Sequence, residues 1–312
     1  MGLRIGTNVQ SMRAQNSLSK VEQAKSENLA KLSSGTRINK AGDDAAGLAI
    51  SEKLKANIRG TQQATRNAGD GISLIQTAEG GLNEVSNILV RLRELSVQSA
   101  SDTIGDQERK FSDLEFKQLT SEVERIATST QFNGKNLLSG EGDTMDFQIG
   151  IMNDAKNDRL SYRPQDSSAR AADLGIAELG VSTKEDAQNN LEKIDTAINN
   201  VNGNRATLGA LQNRLQSTIS NLEVRTENLA AANSRIRDTD IAQESAEMMK
   251  NQILSQSSIS VLAQANNSGS AALKLIGWLI VQHAFNKRPE YSGLFYLQEI
   301  NSISSIAVFS ER

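Results

Sequence analysis

Cysteine is absent from the 312 residues, and there is one histidine, one tryptophan and two prolines. Without cysteine there are no disulfides, no thiolate nucleophile and no cysteine-ligated zinc or iron–sulfur site. One histidine cannot build a multi-histidine metal site, and it makes a Ser–His–Asp arrangement remote. Aromatic residues make up 4% and the apolar set 38%, at or below the low edge of the ordinary globular range. A formal charge of −3 gives no electrostatic reason to bind nucleic acid. Length suggests about two domains. Most enzyme classes are disfavoured before any motif is read, and no cofactor is expected.

The scarce residues are unevenly placed. Residues 1–277 hold five aromatics, Phe111, Phe116, Phe132, Phe147 and Tyr162. The last 35 residues hold six (Trp278, Phe285, Tyr291, Phe295, Tyr296, Phe309), together with His283 and Pro289. Charges in that tail cancel, so the whole net charge belongs to residues 1–277. The chain reads as two different pieces joined near Gly277. The start, MGLRIGTNVQ, lacks the apolar core of a secretory peptide. The longest clean apolar run, Leu275 to Val281, falls far short of a membrane span. On these features alone the expectation is a soluble, cytoplasmic chain without membrane insertion.

What is present is helical periodicity. Ile75, Ala78, Leu82, Val85, Leu89 and Leu92 alternate spacings of three and four, a narrow helical seam. Gly80–Gly81 lies inside it, at a cost of roughly 1 kcal/mol per glycine. The pattern breaks at SDTIGDQ, residues 101–107, and a shorter helix follows with Phe116, Leu119, Val123 and Ile126 on one side. Further on, Ile194, Val201, Leu208, Leu215, Leu222, Leu229 and Ile236 recur every seven residues. At 1.5 Å per residue this seam is about 60 Å long and calls for a partner helix. Ser182-x-x-Glu185 is the expected capping box at its start.

Residues 130–181 change character. Met145, Phe147 and Ile149 alternate with Asp146 and Gln148, a half-buried strand, and Leu160 with Tyr162 suggests its return after turn residues 153–158. One small hairpin is expected. The two ends carry sparse stripes: Val9, Met12, Leu18, Val21, Leu29 and Leu32 at one, Ile253, Leu254, Ile259, Val261 and Leu262 at the other. Neither stripe sustains a stable helix alone. They are either frayed termini or segments that become ordered on pairing within an assembly.

Four long stretches then carry a resemblance: LAKLSSGTRINKAGDDAAGLAIS from Leu29, NAGDGISLIQTAEGGLNEVSNILVRLRELSVQSAS from Asn67, TQFNGKNLL from Thr130, and SRIRDTDIAQESAEMMKNQILSQSSISVLAQAN from Ser234. In that order they closely resemble the terminal regions of bacterial flagellins, over nearly all of residues 1–277. The resemblance implies a mainly α fold: a long antiparallel helical rod with coiled-coil-like packing, one small β-hairpin insert, and paired N- and C-terminal helices. Residues 1–40 with 240–277 correspond to the filament inner core, and 41–239 to the rod with its insert at about 140–181. It implies an extracellular homopolymer serving motility, exported without a cleaved signal, which overrides the cytoplasmic expectation. Implied partners are further copies of the chain, an export chaperone at the C-terminal segment, filament cap and hook-junction proteins, and Toll-like receptor 5.

Residue roles follow from the same resemblance. Polymerisation contacts fall on Arg91, Leu92, Glu94, Leu95 and Val97, and on Leu18, Val21, Leu29, Leu32, Leu254, Ile259 and Leu262. Receptor contacts fall on Arg91, Leu95 and Glu115. Val90 departs from receptor-active members, which carry a polar residue there. A hook–filament junction protein and a secreted adhesin or receptor ligand remain alternatives.

No H-E-x-x-H, phosphate-binding loop or dinucleotide motif occurs. Asp43–Asp44 reads as a solvated first helical turn, because adjacent carboxylates on a helix diverge. Met248–Met249 reads as packing filler, and His283 as incidental. Residues 278–312 lie beyond the family pattern and are expected to stand outside the fold. They would arise by read-through or a changed stop codon, since Trp codons lie one base from stops; a functional extension is the alternative.

Overall fold

The computed structural model describes residues 7–286, with some side chains beyond 267 excepted. Its helices are α1 (Val9–Ser34), α2 (Ala45–Ser99), α3 (Asp106–Ser129), α4 (Lys184–Arg237) and α5 (Ile241–Asn286). Four short strands lie between α3 and α4: β1 (Gln131–Phe132), β2 (Lys135–Asn136), β3 (Met145–Gln148) and β4 (Arg159–Tyr162), followed by a 3-10 turn at Pro164–Ser167. These elements divide into two compact units, residues 40–238 and the two chain ends on either side of them.

In the central unit α2 and α4 run antiparallel. Arg93 on α2 meets Asp195 on α4 at 2.6 Å, and Glu52 near the start of α2 meets Arg237 at the end of α4. The expected seam of α2 is the core: Ile75, Ala78, Leu82, Val85, Leu89 and Leu92 are all fully buried. α2 extends well N-terminal of that seam, where its buried positions are Gly47, Ser51, Thr61, Ala64, Ala68 and Gly71, ahead of Leu74. Small side chains there carry the close packing that leucines carry later. On α4 the heptad positions Ile194, Val201, Leu208, Leu215 and Leu222 are buried, while Leu229 and Ile236 are half-buried. The seam therefore loosens toward the end of α4.

The Gly80–Gly81 pair separates on inspection. A Cβ on Gly80 would meet open space, whereas one on Gly81 would lie 2.7 Å from Leu138 Cδ1 and 2.8 Å from Thr130 Oγ1. Gly81 lets the loop after α3 press onto the backbone of α2.

Three local expectations are corrected. There are two hairpins: β1 pairs with β2, and β3 with β4 in the register Met145↔Tyr162 to Gln148↔Arg159. The first turns through Asn133 and Gly134, both at positive φ, the backbone a two-residue primed turn requires. The cap of α4 is one residue later than Ser182: Thr183 Oγ1 accepts from the Asp186 N–H and donates to the Asp186 carboxylate. Asp44 precedes the first turn of α2 as its N-cap, accepting from the Gly47 N–H at 2.8 Å, while Asp43 accepts from the Lys40 N–H.

In the terminal unit α1 and α5 also pair antiparallel. Asn8 Nδ2 donates to the Ala265 carbonyl (2.9 Å), Ser11 Oγ to Asn266 Oδ1 (2.7 Å), and Lys31 reaches Glu244 at 3.8 Å. α1 ends on Gly35 in the left-handed region, and its carbonyl accepts from the Thr239 N–H. α5 runs across Gly277 and Trp278 to Asn286, so the first part of the expected tail is helical. Residues 287–312, including Pro289 and most tail aromatics, lie outside the described residues, as do the side chains of His283 and Phe285.

Candidate functional site

The segment Val90–Ser99 is the last part of α2, and its two faces do different work. Leu92 and Leu95 are buried, with exposures of 0% and 2%, in the core shared with Phe116 and Ile194. Arg91, Glu94 and Val97 face solvent. Arg91 Nε and Nη2 both donate to Glu115 Oε1 of α3, at 3.0 and 2.8 Å, and Nη1 donates to Glu94 at 3.0 Å. These bonds, that to Glu115 first, push the Arg91 guanidinium above its ordinary pKa, so it stays charged. Arg93 is likewise raised by its bond to Asp195. Around this network Val90 and Val97 expose about half their surfaces, 47% and 50%. The structure thus brings Arg91 and Glu115 together at the surface and turns Leu95 into the core.

On the terminal helices the chosen apolar residues also divide. Leu18, Val21, Leu32 and Leu262 are half-buried, whereas Leu29, Leu254 and Ile259 are exposed. Val9, Met12, Ile253 and Val261 are exposed beside them. α1 buries a single residue, the polar Asn28. A helix pair that leaves this many large aliphatic side chains in water is covered on one face only.

Other exposed apolar residues were not among the sequence candidates, Phe111 and Leu114 of α3 and Ile241 of α5, while Met249, expected as packing filler, is exposed as well. Phe111 and Leu114 lie off the line of Phe116 and Val123, so the period of the buried face marks them as outward. Met248 is half-buried. Among the described residues no group of three or more His, Cys, Asp or Glu is placed to hold a metal ion, and no helix is long and apolar enough to cross a membrane.

Comparison with known proteins joins these features. The model of the bacterial flagellin N-terminal helical region matches residues 5–143, and that of the bacterial flagellin C-terminal helical region matches residues 191–276. A flagellin of Halalkalibacterium halodurans is 50% identical over 79% of this chain and 89% of its own length. Flagellin of Bacillus subtilis is 44% identical over 88% of this chain and 100% of its own, and the flagellar filament 33 kDa core protein of Treponema phagedenis 42% identical over 87% and 99%. Among solved structures, Bacillus cereus flagellin matches 54% of this chain and 94% of its own at 32% identity, with a TM-score of 0.45. With both family regions matched in order on either side of the β3–β4 hairpin, the chain belongs to the bacterial flagellin family.

Proposed function

We propose that this chain is the subunit that polymerises into an extracellular bacterial flagellar filament for swimming motility, acting by structure and not by catalysis. The observation that carries the reading is the terminal unit: α1 and α5 pair along their length yet leave Val9, Met12, Leu29, Ile253, Leu254, Ile259 and Val261 exposed. Apolar area left in water at about 25 cal/mol per Å² favours burial against further copies. Repeated head-to-tail contact that does not close gives a helical polymer. Residues 1–40 with 240–277 then form the filament's inner core, and 41–239 with the insert at about 140–181 its rod.

The finer partners belong to the same reading. An export chaperone holding the C-terminal segment would cover the exposed aliphatic face of α5 before assembly, and export would proceed without a cleaved signal. Cap and hook-junction proteins would meet the same helices at the ends of the polymer. Recognition of the monomer by Toll-like receptor 5 would fall on Arg91 and Glu115, with the buried Leu95 anchoring α2 in the core.

Electron microscopy of purified protein after salt-induced assembly tests the central claim. Long filaments are expected; a protein that stays monomeric while correctly folded refutes it. Motility of a deletion strain separates a filament subunit, whose loss abolishes swimming, from an adhesin. Short caps at the hook instead of filaments would indicate a junction protein.

A further inference from the structure

Six arginines of the central unit end on carboxylates: Arg91 on Glu94 and Glu115, Arg93 on Asp195, Arg109 on Asp106, Arg125 on Glu122, Arg170 on Glu124 and Glu141, Arg237 on Glu52. One cleft gathers three that do not. It lies between β4 with its following 3-10 turn and the middle of α4, encloses about 410 Å³, and is lined by Arg159, Arg163 and Arg214. Arg159 donates only to neutral oxygens, those of Gln148 and Asn153. Among the described residues Arg163 and Arg214 form no ion pair. Asp166 is the sole carboxylate of the lining, so three guanidiniums against it give a local charge of +2 in a chain whose total is −3.

We propose that this cleft binds the acidic units of an extracellular polysaccharide, carboxylated or sulfated. A planar guanidinium fork matches the paired oxygens of a carboxylate or sulfate. The volume suits one or two sugar rings, and Leu160 and Leu211 offer an aliphatic wall beside the arginines. An open, singly occupied cleft of this kind binds weakly. Its affinity for a long chain rises in the filament, because polymerisation repeats the cleft at fixed spacing and converts later contacts into intramolecular ones. That second step rests on the filament reading; binding of a short oligosaccharide by the monomer does not.

The test compares filaments of the natural chain with filaments of Arg163→Ala/Arg214→Ala in co-sedimentation with polygalacturonate, dextran sulfate and neutral dextran at one ionic strength. A second variant, Arg66→Ala/Arg225→Ala, removes the same charge from exposed positions outside the cleft. The expected result is retention of one or both acidic polymers but not dextran, weakened about tenfold or more by the cleft variant and little changed by the control. Equal retention by both variants, equal weakening in both, or equal retention of dextran overturns the proposal. Titration of the monomer with trigalacturonate and with a sulfated disaccharide reads the cleft without the polymer. Failure of both to bind there overturns it even when filaments form, and binding there sustains it even when they do not.

Discussion

Arg91 of α2 and Glu115 of α3 share one carboxylate oxygen between two guanidinium N–H groups, at 3.0 and 2.8 Å. The pair ties the two helices at the surface, while Leu95, one turn further along α2, is 2% exposed. A surface residue and a core residue one turn apart therefore respond differently to truncation. Arg91→Ala breaks exposed ion pairs worth about 0–1 kcal/mol, so the central unit stays folded. Leu95→Ala opens a cavity and costs about 2–5 kcal/mol. Urea unfolding separates them. At equal folding, Arg91→Ala is expected to lower both filament assembly and receptor signalling; unchanged signalling would argue against a receptor role for this surface.

The two helical pairs are expected to differ in stability by the same reasoning. α2 buries a continuous apolar seam, whereas α1 buries only Asn28. Amide hydrogen exchange in the monomer should be fast throughout α1 and α5 and slow from Leu74 to Leu95. Assembly should slow exchange at the ends and raise far-UV helicity. Slow exchange in α1 of the free monomer would contradict a one-sided cover.

Adjacent glycines offer a sharper contrast. Gly80→Ala adds a methyl to open space and a better helix former, and is expected to stabilise by roughly 1 kcal/mol. Gly81→Ala puts its methyl against Leu138 and Thr130 and is expected to destabilise, by about 1–3 kcal/mol in overpacking set against that helical gain. Thermal unfolding of the two variants should move in opposite directions.

Tyr162 links the second hairpin to the loop after β2, its hydroxyl donating to the Leu137 carbonyl at 2.7 Å. Burial raises the phenol pKa above its ordinary value near 10. Its contribution is therefore whole below the unfolded-state pKa and is lost as pH rises through the folded one. Tyr162→Phe should cost about 1 kcal/mol at neutral pH and flatten the alkaline loss of stability. At the acid end the sign reverses: the bond from Arg237 lowers the Glu52 pKa, and Lys184 does the same to Asp102, so their contributions are present above the unfolded carboxylate pKa and fade as pH falls.

The α2 and α4 seams were legible because leucine, isoleucine and valine recur there at helical spacing. The first part of α2 was not, since Ser51, Thr61, Ala64 and Ala68 fill its contact line and small residues raise no hydropathy signal. Asn133–Gly134 announced the first hairpin in plain turn chemistry, but its two-residue strands are too short to show alternation. At the candidate surface, sequence similarity placed Arg91, Leu92, Glu94 and Leu95 together. Only the helical period separates the outward pair from the inward one, and the seam through Leu89 and Leu92 already contained that distinction.

Each unit is a closed pair of antiparallel helices, and the two closures differ in what the chain must do first. Asn8 meets Ala265 across 257 positions, while the carbonyl of Gly35 accepts from Thr239. Bringing such distant segments together from an unfolded chain carries a loop-closure cost that grows with the length between them. Folding of residues 40–238 joins Glu52 to Arg237 and removes most of that length. On this argument the ends pair at least cost once residues 40–238 have folded, and a variant that unfolds the seam of α2 and α4 is expected to weaken the pairing of α1 with α5 as well.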